Sequence, residues 1–275
     1  MAKDGQSAYP IQTLRDATTA LEASILLCLA KPGKKAVHEL RTATRRVEAQ
    51  FALLPMLPQL PQHTQQRKKA LRLLKKIRRA AGLVRDLDVQ RQLIREEAAS
   101  SHGALRREAR RLRRELKRQR DEQAAHLLKV LHKQTANLRP VFEKLLHTLA
   151  PAESLALSEA QLTGLAHNLY AHPISGPTPA AHNDTAQLHA LRKRAKLARY
   201  LAESAPPSAA AAHRLAAHFE KLQEAGGKWH DWLLLTTIAT GELGHSASLA
   251  ERFAAHTQSS LRTFKRRLNP PLPGA

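Results

Sequence analysis

His38 and His189 lie 151 residues apart, and each heads a stretch in which an apolar helical stripe runs beside a cationic one. In Val37–Leu54, VHELRTATRRVEAQFALL, the residues Val37, Leu40, Val47, Phe51 and Leu54 recur at spacings of three, four and seven. That spacing puts them on one face of an α-helix. His38, Arg41 and Arg45 keep the same rhythm one residue later, turned about 100° from the apolar face. In Leu188–Leu201, LHALRKRAKLARYL, the apolar stripe is Leu188, Leu191, Ala195, Ala198 and Leu201, and the shifted one is His189, Arg192, Lys196 and Arg199. Both helices are expected to bury one side and to hold cationic or hydrogen-bonding heads along its margin. A chain that repeats this offset is expected to fold as helices packed on helices.

The rest of the pattern agrees. Aromatic residues make up only 4% of the chain, so its core must come from Leu and Ala, which favours helix. No run of alternating Val, Ile and Thr reads as a strand. A helix is expected over Ile11–Ala30, closed by Lys31-Pro32-Gly33, and Pro55, Pro58 and Pro61 end the His38 helix. No acid occurs from Ala49 to Arg85, and the helix in that span carries Lys75, Arg78 and Arg79. Gly82 is expected to break it, with a new helix over Leu83–Ala98. A long helix from about His102 to Leu138 follows, its first half crowded with arginines from Arg106 to Arg120, and Pro140 is expected to kink its continuation.

Residues 150–184 shift to Pro, Gly and few charges, with a short helix near Ser158–Tyr170 and a loop over Ala171–Asp184. After it the order repeats. The His189 helix ends at Ala205-Pro206-Pro207, a helix spans Ser208–Ala225, and Ser248–Leu268 forms a last basic helix containing Lys265. Gly82 through Asp86 aligns with Gly227 through Asp231, 145 residues on. An internal duplication of this size predicts two similar helical units about a pseudo-twofold axis. The expected division is an N-terminal bundle over residues 10–150, a linker with a short helix over 151–184, and a C-terminal bundle over 185–268.

Charge narrows the function. The 275 residues allow one large or two medium domains, and 45 Lys and Arg face 23 acids for a net charge of +22. Such an excess opposes compaction and favours a polyanionic partner. A basic surface kept for solubility is the plainer alternative, but acids serve that purpose better. The single cysteine, Cys28, cannot form an intrachain disulfide, which suits a reducing compartment, and a zinc site of several thiolates is excluded. The apolar run Ala23–Ala30 is too short to span a bilayer, so a cytoplasmic protein is expected.

The chain also resembles the CHAD family (conserved histidine α-helical domain). The residues that carry the resemblance are Val37-His38-Glu39-Leu40-Arg41 with Arg45-Arg46, and Leu188-His189 with Leu191-Arg192-Lys193, Lys196 and Arg199-Tyr200. Gly82 through Asp86 with Asp88, and Gly227 through Asp231, add to it. The resemblance covers roughly residues 10 to 268. It implies two four-helix bundles around a basic cavity or pore that binds inorganic polyphosphate, and attachment to polyphosphate granules. It further implies that His38, Arg41, Arg45, Arg46, His189, Arg192, Lys193, Lys196 and Arg199 line the polyanion path. Lys75, Arg78, Arg79, Arg85 and Lys265 complete the candidate set. The two copies differ in places: Glu48 stands against Arg199, Thr42 against Lys193, and Arg85 against His230. Unequal contributions from the halves are therefore expected.

The physics of the candidates is consistent with such a ligand. A chain of phosphates carries charge but no bases, so binding must rest on potential, charge-assisted hydrogen bonds and counterion release. Arginine matches phosphate oxygens bidentately and lysine supplies a movable point charge. For His38 and His189 several roles stay open: a neutral imidazole at the core margin, a phosphate donor or cation, or metal and phosphohistidine chemistry. Asp86, Asp88 and Asp231 are expected to bridge to arginines or cap helices. Tyr200, Trp229 and Trp232 are expected in the core. The arginines of 106–120 form either a solvated face or an extension of the basic path. No Gly-rich phosphate loop, nucleotide fingerprint or acidic metal cluster is present, so no enzyme and no cofactor are expected. A nucleic-acid binder is the alternative, although no helix-turn-helix, zinc or RNA-module signature supports it.

Overall fold

Eight α-helices make up the computed structural model, which describes residues 7–172 and 185–268. They are α1 (Pro10–Ala30), α2 (Lys34–Leu53), α3 (Thr64–Ala99), α4 (Gly103–Leu149), α5 (Glu159–Ala171), α6 (Thr185–Ala202), α7 (Ala210–Leu243) and α8 (Ser248–Leu268). No strand occurs among the described residues; a single antiparallel bridge joins Ala8 to Leu157. The all-α expectation holds. Most of the loop expected over Ala171–Asp184 lies outside the described residues.

Local chemistry sets several boundaries. Pro10 opens α1 at its first turn, where a missing N–H is harmless. Ser158 caps α5 with a capping box: its hydroxyl accepts from the Gln161 N–H at 3.2 Å and its own N–H donates to the Gln161 side chain at 2.9 Å. Glu159 in turn accepts from the free N–H groups of Ala211 and Ala212 at the start of α7.

Two expected breaks are absent. α3 runs through Gly82 for 36 residues, and α7 runs through Gly226 and Gly227 for 34. A mid-helix glycine costs about 1 kcal/mol relative to alanine; at Gly82 and Gly226 a close neighbour accounts for it, whereas at Gly227 nothing lies within 4 Å. A Cβ at position 82 would lie 2.6 Å from the Arg41 guanidinium, and one at 226 would lie 2.9 Å from the Phe264 ring and 3.2 Å from Arg192 Cγ. Gly82 therefore makes room for Arg41, and Gly226 makes room first for the Phe264 ring and then for the stem of Arg192. α4 likewise continues through Pro140 for 47 residues, about 70 Å.

Burial falls into three cores. The first joins α1, α2, the first half of α3 and the second half of α4, with Leu14, Val47, Leu74 and Leu131 inward. Phe51 and Phe142 meet edge to face there, 6.2 Å between ring centres. The second joins α5, α6, the first half of α7 and Phe264 of α8. Leu162, Ala166 and Leu169 bring α5 into this core, although its sequence reads as part of a linker. The third is made by the outer halves of the α3–α4 and α7–α8 hairpins, through Ile94, Leu112, Leu235 and Phe253. α2 and α6 pack against each other between the first two cores, which sets the two cationic margins side by side.

Candidate functional site

The apolar stripes fix the orientation of α2 and α6. Val37, Leu40 and Val47, with Leu188, Leu191 and Ala195, are all buried, so the shifted residues must lie at the margin. There His38, Arg41 and Arg45 of α2 and Arg192 and Lys196 of α6 line a cavity of about 590 Å³. α3 closes another side with Arg78, Arg85 and Asp86, and α7 contributes Glu224, Lys228, His230 and Asp231. Seven cations and three carboxylates share the space.

Counter-charges sit unevenly around it. Arg41 lies 3.8 Å from Asp86. Glu48 accepts from both Arg45 at 2.9 Å and Arg78 at 2.7 Å. Lys196 makes no ion pair among the described residues. Burial, and then the nearby Arg192, Arg45 and Arg41, push its pKa down to about 7. Burial also lowers Arg45 and Arg192, and each has a carboxylate, Glu48 or Asp231, that partly opposes the fall. Asp231 is raised to about 6 by burial and by Asp86, against the pull of Arg192, Arg85 and Lys196. His230 falls to about 3 through burial and the cations around it. Like charge is crowded here beyond what the protein's own acids balance.

The two motif histidines part company. His38 stands at the open rim, its pKa lowered by partial burial and then by Arg85 and Arg41. His189 lies off the cavity wall, its ring 4.8 Å from Trp229 and 4.7 Å from His230. It too is lowered, by burial and then by Arg192 and Lys193. Both shifts favour a neutral imidazole at neutral pH.

Seven of the fourteen residues expected at the polyanion path line the cavity: His38, Arg41, Arg45, Arg78, Arg85, Arg192 and Lys196. Arg46, Lys75, Arg79 and Lys193 are exposed and stand outside its lining. Arg199 is held by Glu203 and Glu220, at 2.6 Å each. Lys265 lies on α8, away from the wall.

A family model of the CHAD domain matches residues 12–240. The chain belongs to the CHAD family. Its fold is similar to that of the CHAD domain from the plant Ricinus communis, with a TM-score of 0.65 and 14% identity over 99% of this chain and 96% of that one. PptA from Streptomyces chartreusis is similar with a TM-score of 0.67 and 14% identity, over 95% of this chain and 98% of that one. At such identity the likeness is one of fold. No curated protein matches the sequence.

Within this CHAD domain, Lys228 is the cavity cation that the sequence reading passed over. Its spacing from Glu224 and Asp231, four residues back and three on, marks one face of α7 and was a usable signal. Two of the three aspartates pair with arginines: Asp86 faces Arg41, and buried Asp88 accepts from Arg120 Nε at 3.2 Å. Arg120 also donates to the Pro32 carbonyl, tying α4 to the α1–α2 turn. Tyr200, Trp229 and Trp232 are buried. Among the described residues no group of three His, Cys, Asp or Glu is placed to hold a metal ion, and no helix is long and apolar enough to cross a membrane.

Proposed function

We propose that this CHAD domain binds inorganic polyphosphate in the cavity between α2, α3, α6 and α7, without turning it over, and so attaches to polyphosphate granules. The observation that supports this reading is the convergence of Arg41, Arg45, Arg78, Arg85, Arg192, Lys196 and Lys228 from four helices onto one concave space. Low-dielectric walls strengthen the field of such a set over that of a convex basic face. A phosphate chain would supply the negative charge that Asp86, Asp231 and Glu224 only partly provide. The wall holds no Phe or Trp and its one Tyr, Tyr200, is buried, so His38 at the rim is the one exposed ring and a base finds no large aromatic stacking platform. That favours a ligand without bases.

The test is a titration of long-chain polyphosphate, duplex DNA, RNA and orthophosphate at several salt concentrations. Tight polyphosphate binding that duplex DNA fails to displace is expected. Equal affinity for DNA would turn the reading to a nucleic-acid binder. Replacing Arg41, Arg45, Arg192 and Lys196 together by Ala should remove most of the affinity, on the order of 100-fold or more for four lost phosphate contacts, with the helical circular dichroism intact. Release of orthophosphate in the presence of Mg²⁺ would overturn the non-catalytic part.

A further inference from the structure

A second concave basic feature lies on the hairpin formed by α3 and α4 and shares no residue with the central cavity. Its lining is wholly cationic: Arg91 of α3 with Arg107, Arg110, Arg113, Arg114 and Lys117 of α4, around a volume of about 590 Å³. Arg107, Arg110, Arg114 and Lys117 follow one another at steps of three, four and three, which keeps them on one face of α4 over about 15 Å. The acids of the same stretch are engaged elsewhere. Glu108 accepts from the Leu249 N–H at the start of α8 at 3.0 Å, and Glu115 accepts from Arg118 at 2.5 Å and Gln119 at 2.8 Å. None of the six lining cations forms an ion pair among the described residues. Arg91 goes further: its Nε is buried and has no hydrogen-bond partner there.

Helix faces kept merely for solubility interleave acid and base at i and i+4, as Arg118 does with Glu115 and Glu122 one turn on. The groove does not. Five exposed cations repel one another along its length, and their stems, with Arg91, form a trough instead of a ridge. Nothing aromatic lines it, so bases would find no ring to stack on. We infer that this groove is a second binding site for a linear, base-free phosphate polyanion, engaged by chains too long for the central cavity. The inference rests on the polyphosphate reading of that cavity, and it makes the domain bivalent toward a single long chain. Linkage of the two sites through one chain raises avidity without any new contact.

Two variants and two probes separate the sites. In the groove variant, Arg107→Gln, Arg110→Gln, Arg114→Gln and Lys117→Gln are combined; all four residues are exposed, so circular dichroism should be unchanged. In the cavity variant, Arg41→Ala, Arg192→Ala and Lys196→Ala are combined. The probes are tripolyphosphate and long-chain polyphosphate, each titrated over a range of salt. The groove variant should bind tripolyphosphate within about twofold of the parent but lose roughly tenfold or more in long-chain affinity at low salt. Its slope of log affinity against log salt for the long chain should shrink by about 3, the counterions released by four contacts to a single strand. The cavity variant should lose tripolyphosphate and keep weak, salt-sensitive binding of the long chain. An unchanged long-chain slope in the groove variant overturns the second site and leaves the cavity reading standing. An equal loss of tripolyphosphate overturns it too, by showing only a long-range potential. A cavity variant that still binds tripolyphosphate normally refutes the cavity reading alone, since the groove is judged by its own slope.

Discussion

Arg45 of α2 and Lys196 of α6 stand seven residues after the two motif histidines, and the protein treats them in opposite ways. Arg45 is paired with Glu48, which also holds Arg78. At the position aligned with Glu48, α6 carries Arg199, and Arg199 turns away to Glu203 and Glu220. Lys196 is left among Arg192, Arg45 and Arg41 with a pKa near 7. Arginine stays charged under such pressure, whereas lysine can shed its proton. The comparison teaches that Arg45 of α2 is balanced by a paired carboxylate of the protein, while Lys196 of α6 has no such pair among the described residues.

The largest effect that bears on this contrast is in packing. Gly226→Ala would drive a methyl group to 2.9 Å from the buried Phe264 ring and 3.2 Å from Arg192 Cγ. Overpacking of about 1–3 kcal/mol should outweigh the gain of about 1 kcal/mol in helix propensity. Gly82→Ala meets only Arg41 Nη1, the tip of a flexible side chain, at 2.6 Å. It should be neutral or stabilising by up to about 1 kcal/mol, and it should weaken polyphosphate binding by displacing the guanidinium. Urea denaturation of both variants, with a titration of the second, tests the pair. Equal destabilisation would show that the halves tolerate change alike.

Next comes the pH dependence. In the unfolded chain Lys196 titrates near 10.5, and in the folded one near 7. Between those values the unfolded state holds more protons, so stability rises with pH across the interval. Asp231 moves from 3.8 to about 6, so there the folded state holds more protons and stability falls as pH rises from about 4 to 6. The two contributions leave a trough between about pH 6 and 7. Polyphosphate should raise the Lys196 pKa, so binding at pH 8 should take up protons and weaken as pH rises. Calorimetry in buffers of different ionisation enthalpy measures the uptake. Lys196→Met should abolish it and flatten the alkaline rise in stability; an unchanged uptake would assign the proton elsewhere.

The smallest effect is expected at Arg199. Both ends of its guanidinium are engaged by Glu203 and Glu220, so Arg199→Gln should shift polyphosphate affinity by less than about twofold, within the range of exposed ion pairs. A large loss would mean that these glutamates release Arg199 to the ligand.

The stripes of α2 and α6 were legible because burial of Val37, Leu40, Leu188 and Leu191 follows the helical period directly. Arg41, Arg45, Arg192 and Lys196 then had one place to go. Gly82 was misread because a glycine's helix penalty is local, while the room it gives Arg41 depends on a neighbouring helix. His189 reads like His38 in sequence, yet its surroundings are decided by Trp229 and His230 from α7. The third core was not legible for the same reason. Leu112, Leu235 and Phe253 show apolar helical spacing, but nothing in that spacing says which hairpins will meet.

That third core has a kinetic consequence. It clamps the outer halves of the α3–α4 and α7–α8 hairpins together, and α3 and α7 are also two walls of the cavity. The walls cannot swing apart without exposing Ile94, Leu112, Leu235 and Phe253 to water. If the cavity binds polyphosphate as proposed, the chain is expected to leave by peeling, one contact after another. Residence time should lengthen with the number of phosphates held, and free short chains should hasten departure by occupying vacated contacts.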